Sequence, residues 1–471
     1  MSRRPLPAAD AAWLHMDRAA NPMVVNALIL FDEPLDWQRA KEVFGERLVE
    51  RFPRFRQRVS DPLGRPVFED DPGFDIDRHL HRLALPQPGD QTALQELVSD
   101  LITPGLDRSR PLWHVYLIEG FGEGCAVLVR IHHCIADGIA LARVMLSLTD
   151  DEDEDGVLAP EPPDNGHGRG RLGSMLAPAA TALAATRRIT ATVAHEGMES
   201  VVHPENVARL AGSAVRDAGT LARLLTAPAD SRTVLKAPLH GTRRVAWSTP
   251  FPLARLKAAG RHDDATINDV LLAAVTGALR SYLEERDTLP DEVHVMVPFN
   301  LRPLDQPLPR RLGNEFALIL LALPVGIEDP RERMRDVKMR MDAVKNSHEG
   351  AIAFGVLSAI GLTPAQLESR LIGFFSEKAS AVVTNLPGPC QPVYLAGTPV
   401  AGVLVWAPCS GGLGLTVSIF SYAGEVTVGF MTDIGLVPEP QELVKAFDTE
   451  LRTLCRGTRR RSHKIRSQHG A

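Results

Sequence analysis

His132 and His133, followed by Asp137 and Gly138, form the string HHxxxDG in this chain. Imidazole is the side chain whose ordinary pKa lies near neutrality, so a histidine can take a proton from a hydroxyl at pH 7 and pass it on. The string sits at a junction. An apolar run with strand character, Cys125 to Ile131, precedes it, and a helix-like run, Ile139 to Leu148, follows. Side chains alternate across a strand, so His133 shares a face with Val127, Val129 and Ile131, and His132 shares the other with Arg130 and Leu128. Adjacent histidines on opposite faces cannot bind one metal unless the strand breaks, which counts against zinc. On an apolar wall, desolvation disfavours the imidazolium and keeps His133 neutral. A base of that kind suits removal of an alcohol proton, a step worth roughly 10²–10⁴-fold when the base is well placed.

Asp137 is expected to hold the loop through an arginine, and Gly138 to supply a backbone conformation that other residues resist. A lone histidine on such a face is more often a hydrogen-bonded core residue. The full string shifts the balance, because residue frequencies give roughly one chance match per thousand chains of this length. Its place between strand and helix adds context.

The elements that must position these groups read as mixed α/β. At 471 residues the chain is too long for one ordinary core, so two domains are expected. In the first half, Asn26 to Phe31 reads as a strand and Trp37 to Arg51 as a helix. Asp150 to Asp155 are six consecutive acids, and a Pro/Gly-rich stretch to Gly173 follows. Like charges repel, so this reads as a solvated linker. An alanine-rich segment, Ser174 to Leu225, reads as a helical crossover. In the second half, a helix opens at Thr266-Ile-Asn-Asp269 and runs to Arg286. Val293 to Pro298, Ala317 to Val325 and Ala381 to Val383 read as strands, and Leu415 to Tyr422 with Glu425 to Thr432 as a hairpin turning at Ala423-Gly424. From Arg456 onward there are six Arg/Lys and no acid, read as a disordered solubilising end, with contact to an anionic lipid surface as the alternative.

With 52 basic and 58 acidic residues, nothing general points to nucleic acid. Five scattered cysteines without CxxC spacing argue against a disulfide framework or zinc site and fit a reducing cytosol. Met1 to Asp10 lacks the apolar stretch of a signal peptide. No apolar run approaches ~18 residues, so lipid would be handled from the water side.

These residues carry a resemblance. The sequence resembles the bacterial wax ester synthase/acyl-CoA:diacylglycerol acyltransferase family, part of the CoA-dependent acyltransferases that include chloramphenicol acetyltransferase and peptide-synthetase condensation domains. The likeness runs from about Trp13 to Leu451. Besides HHxxxDG it rests on Arg110-Pro-Leu-Trp113 with Leu117-Ile-Glu-Gly120, Asn268-Asp269, Pro298-Phe-Asn-Leu-Arg302, Leu312-Gly-Asn314 and Thr384-Asn-Leu-Pro-Gly-Pro389. It is loose over Asp150 to Leu235, and Trp13-Leu14-His15-Met16-Asp17 is an approximate match to the family opening.

The resemblance implies an α/β fold of two chloramphenicol-acetyltransferase-like lobes with mixed sheets, a helical crossover and an active-site tunnel between them. The expected division is residues 1–149 for the first lobe, 150–240 for linker and crossover, 241–455 for the second lobe and 456–471 for the tail. The implied reaction moves a long-chain acyl group from acyl-CoA to diacylglycerol or a long-chain alcohol, giving triacylglycerol or wax ester. His133 is the implied base, and the neighbouring His132 completes the motif. Asn268 is expected to orient substrate or polarise the thioester carbonyl. Asp269 is expected to be structural, since with Thr266 it can form a capping box. Arg302 is the candidate partner of Asp137, with an ordinary surface arginine as its alternative. Pro111-Leu112-Trp113 reads as fold support or tunnel lining, and Asn385 with Pro387 to Pro389 as a rigid turn. No bound cofactor or metal is expected, since acyl-CoA is a substrate. A cytoplasmic protein with peripheral contact to the inner face of the plasma membrane or a lipid droplet is implied. Two rivals remain: the same fold acylating a polyketide, amino-acyl or sugar hydroxyl, and a catalytically silent lipid-binding relative.

Overall fold

The computed structural model describes residues 3–61, 65–150, 229–300, 312, 314, 316–345, 373 and 376–466. The proposed crossover of residues 174–225, most of the acidic run and Arg302 lie outside them. In chain order the first half runs β1 (Arg3–Pro5), α1 (Ala8–Met16), β2 (Val24–Phe31), α2 (Trp37–Val43), β3 (Gln57–Ser60), β4 (Val67–Asp70), β5 (Leu80–Ala84), α3 (Gln91–Ile102), β6 (Trp113–Phe121), β7 (Gly124–His132) and α4 (Gly138–Leu146). The second half begins with β8 (Arg243–Trp247), β9 (Phe251–Pro252), α5 (Leu253–Gly260), α6 (Ile267–Glu284), β10 (Val293–Asn300), β11 (Phe316–Leu323) and α7 (Pro330–Lys345). It ends with β12 (Ala381–Pro387), β13 (Tyr394–Leu395), β14 (Thr398–Pro399), β15 (Gly402–Trp406), β16 (Leu415–Tyr422), β17 (Glu425–Asp433) and α8 (Pro440–Arg466).

Two mixed sheets carry the architecture. The first has order β15-β2-β7-β6-β5, and only β5 and β6 are parallel. The second has order β11-β10-β12-β16-β17-β8, with β10, β12 and β16 mutually parallel and β9 beside β17. β15 comes from late in the chain yet completes the first sheet by pairing Gly402–Trp406 with Leu30–Asn26. β7 is buried along its whole length and its alternation sorts two cores. Val127, Val129 and Ile131 enter one, while Ala126 and Leu128 join α3, Val245, Trp247 and Trp406 in another. In the second half α6 packs against α5, α7 and α8, and shares a core with the second sheet.

Local chemistry explains the joints. Ala423 and Gly424 both have positive φ, 47° and 84°, as a two-residue turn between β16 and β17 requires. Thr266 caps α6 through the expected box: its hydroxyl accepts from Asp269 N at 3.2 Å, and Asp269 Oδ2 accepts from Thr266 N at 2.8 Å. One expectation fails. The basic end from Arg456 is not disordered over the described residues, because α8 continues to Arg466. Leu443, Phe447, Leu451 and Leu454 bury one face of that helix, and cations suit a helix C-terminus. Asp150, the first of the six acids, is anchored: its carboxylate accepts from Gly397 N at 2.7 Å and lies 3.7 Å from Arg47.

Candidate active site

β7 ends at His132 in the middle of the first sheet, and the chain then turns into α4. His133 N donates to Met23 O at 2.8 Å, so the alternation continues one residue past the strand and sends the two rings apart. Asp137 has a structural duty on the backbone. It is the N-cap of α4, accepting from Ala140 N at 2.8 Å, where its charge also suits the helix dipole. The arginine expected beside it, Arg302, lies outside the described residues. Gly138 corrects the reading of its backbone: it is the first residue of α4, without positive φ, and a Cβ there would meet nothing within 4 Å. Its small size leaves open space at the start of the helix.

The turn is clamped by side chains from distant parts of the chain. Arg54 donates to the carbonyls of Cys134, at 3.2 Å, and Ile135, at 2.6 Å. Asn314 Nδ2 donates to His133 O at 2.9 Å and to Asp10 Oδ1 at 2.8 Å. Asp10, fully buried on α1, closes the set by pairing with Arg54 at 2.8 Å. Burial raises the Asp10 pKa, against the lowering effects of Arg54 and Asn314. Three residues further along α1, Trp13 stacks on the His133 ring, with centroids 4.0 Å apart and planes at 17°.

The two histidines have opposite environments. His133 is held down to a pKa of about 4, mainly by burial and further by His132, with its own carbonyl and Asn314 opposing. It is neutral at pH 7. On the other face, burial disfavours charge on His132, but Cys134 and Asp17 outweigh it and push its pKa upward. Cys134 N lies 3.1 Å from its Nδ1, and Nε2 faces Asp17 at 3.7 Å. Burial pushes the Asp17 carboxyl up, but His132, the Met23 amide and Arg108 hold it at about 2, so this partner is ionised.

An apolar cavity opens on the His133 face of β7. Val25, Ala27 and Ile29 of β2 and Val129 and Ile131 of β7 form one wall, and Leu141 and Met145 of α4 another. Pro387 to Pro389 and Phe420 contribute from the second half, so the turn after β12 is cavity wall. The wall stops at Ile131. His133, next on that face, lies beneath Trp13 and is 4% exposed, so its ring flanks the cavity rather than lining it. Asn268, near the start of α6, accepts from Asn385 Nδ2 at 2.9 Å. Neither residue is part of the cavity wall, although Pro387, two positions past Asn385 on β12, is. Trp113 is fold support, fully buried with its indole N–H on Phe55 O at 2.7 Å.

Residues 6–271 match the model of the wax ester synthase/diacylglycerol acyltransferase catalytic domain, and residues 312–455 match that family's C-terminal domain. The chain belongs to the wax ester synthase/diacylglycerol acyltransferase family. It is 30% identical over 478 residues, 98% of this chain and 97% of the other, to a Mycobacterium tuberculosis protein named a probable diacylglycerol O-acyltransferase, tgs1. A second protein of that organism, tgs2, with the same name, is 30% identical over 468 residues, covering 94% and 97%. Among solved structures, the wax ester synthase/diacylglycerol acyltransferase of Marinobacter aquaeolei VT8 is similar with a TM-score of 0.67 at 23% identity, covering 97% of this chain and 99% of that one. The first condensation domain of the CDA synthetase is similar at 0.56 and 19%, covering 96% and 95%. These likenesses show a shared mixed α/β fold.

Sequence reasoning assigned no site role to Asp10, Trp13, Asp17, Arg54 or Asn314. Trp13, Asp17 and Asn314 lay in motifs that carried the resemblance. Asp10 and Trp13 share a face of α1 at three-residue spacing, the signal that could have linked them.

Proposed function

We propose that this chain transfers a long-chain acyl group from acyl-CoA to the hydroxyl of diacylglycerol or of a long-chain alcohol, with His133 as general base. The observation that carries the reading is a neutral imidazole immediately beyond an apolar cavity, on the same strand face, in a member of this family. The cavity takes the acyl chain, whose burial is favourable at roughly 0.8 kcal/mol per methylene. As the hydroxyl oxygen attacks the thioester carbon, its proton passes to His133. The tetrahedral intermediate then collapses, the carbon–sulfur bond breaks, and His133 returns the proton to the departing CoA thiolate. Asn268 is the candidate to orient substrate or polarise the thioester carbonyl, because its oxygen is taken by Asn385 and its NH₂ remains the donor end. The thioester supplies the activation, so positioning and charge stabilisation are the protein's work. No resident metal or prosthetic group enters this scheme.

A diacylglycerol acceptor resides in a membrane or droplet, so the proposal places the enzyme at such a surface. The run of Arg456, Arg459, Arg460, Arg461, Lys464 and Arg466 supports contact with anionic headgroups. No helix among the described residues is long and apolar enough to cross a membrane.

The test is product analysis by thin-layer chromatography after incubating purified protein with radiolabelled palmitoyl-CoA, diacylglycerol and hexadecanol in competition. Triacylglycerol or wax ester should form, and His133→Ala should lower the rate about 100-fold or more. Undiminished transfer by His133→Ala, or acylation confined to non-lipid acceptors, overturns the reading.

A further inference from the structure

α1 reaches the histidine turn at two points. Asp10 holds Asn314, whose amide holds the His133 carbonyl, and Trp13 lies flat on the His133 ring. Backbone and ring are therefore oriented from one helix, by residues three positions apart on the same face. Trp13 is 4% exposed and its indole covers one face of the imidazole. A neutral imidazole gains only stacking from that contact. An imidazolium gains more, because the indole face is the strongest aromatic partner for a cation. The interaction therefore strengthens as the ring takes up a proton, which is the condition for lowering a barrier rather than merely binding.

We infer that Trp13 is a positioning residue for acyl transfer, an indole platform that orients His133 and stabilises the imidazolium formed when the acceptor hydroxyl gives up its proton. This rests on His133 acting as the base. The charged groups around the ring work differently. Asp10 is one amide removed and already paired with Arg54, Asp17 lies beyond His132, and Asp137 caps α4.

Substitution alone does not separate platform from packing, because Trp13 also belongs to the core of the first half. Fluorination does. Mono-, di- and trifluorinated tryptophans keep the indole's shape while draining its π face of negative charge. The chain contains five tryptophans, so the series is run in the wild-type enzyme and in Trp13→Phe, which lacks the platform indole but keeps the other four. Wild-type kcat should fall stepwise with each fluorine, on the order of tenfold across the series, with KM for acyl-CoA little changed. The Trp13→Phe enzyme should be slower and insensitive to fluorination. If Trp13→Phe does not fold, Trp13→Tyr serves as the same control. A flat wild-type series, or equal falls in both backgrounds, overturns the inference. His133→Ala is assayed alongside: if it retains full activity, the assignment of the base has failed, a result distinguishable from a flat fluorine series in an enzyme that depends on His133.

Discussion

Acidification tests the environment of His133 most directly. Burial and the neighbouring His132 bring its pKa from 6.5 to about 4. At pH 5.5 a base with that pKa is more than about nine-tenths neutral, whereas one at 6.5 is about one-tenth neutral. The active fraction thus differs about tenfold at a pH where acyl thioesters survive. kcat/KM for acyl-CoA should therefore stay level from neutrality to about pH 5 and decline only below it, with a slope of one per pH unit. Radiometric product counting is the assay, since thiol reagents respond to pH themselves. The same shift bears on stability. Because the folded pKa is depressed, the unfolded chain binds more protons between pH 6.5 and about 4. Stability is full above that window and is lost as pH falls through it, by about 3 kcal/mol in total. An acidic limb centred between pH 6 and 7, in an enzyme inactivated by His133→Ala and still folded at pH 5, would refute the account: the ring would then be solvated in the working enzyme.

Three further outcomes follow from the clamp and the cavity. Asn314→Ala removes the donor to both His133 O and Asp10, so kcat should fall about 10-fold or more with KM nearly constant, as steady-state kinetics will show. Asp10→Ala leaves Arg54 without its buried partner and should cost about 3–5 kcal/mol in denaturant unfolding. Ala27→Phe places a ring in the cavity wall and should shift preference toward shorter acyl chains, read from competition among acyl-CoAs of graded length.

What could be read in the sequence was local. The period-two pattern of β7 put His133 on the wall of Val129 and Ile131, and the structure opens its cavity on that wall. The Ala423-Gly424 turn and the Thr266–Asp269 box were likewise written in neighbouring residues. The unread parts are long-range. Asn314 meets Asp10 across 304 positions and His133 across 181, and no local pattern encodes such a meeting. β15 has an unremarkable apolar run, Gly402–Trp406, but nothing in it states that its partner is β2. The basic end of α8 misled because its charge suggests solvation, while the apolar anchors that extend the helix lie upstream, up to Leu454.

The motif string therefore marks the site without specifying its geometry. Asp137 and Gly138 start a helix, while the aim of the imidazole is set by groups outside the string: Met23 O on the His133 amide, Asn314 on its carbonyl and Trp13 on its ring. The carbonyls of His133, Cys134 and Ile135 are all taken by side chains, which satisfies backbone groups that would otherwise be costly in a dry interior. Satisfying them fixes the turn. The buried Asp10 makes this possible although burial works against its charge, so the chain gives up some stability to hold one ring at one angle. Positioning of this kind limits rate, since misplacement by about 1 Å can cost on the order of 100-fold. An intact HHxxxDG beside a broken clamp should accordingly give a folded, lipid-binding and slow enzyme.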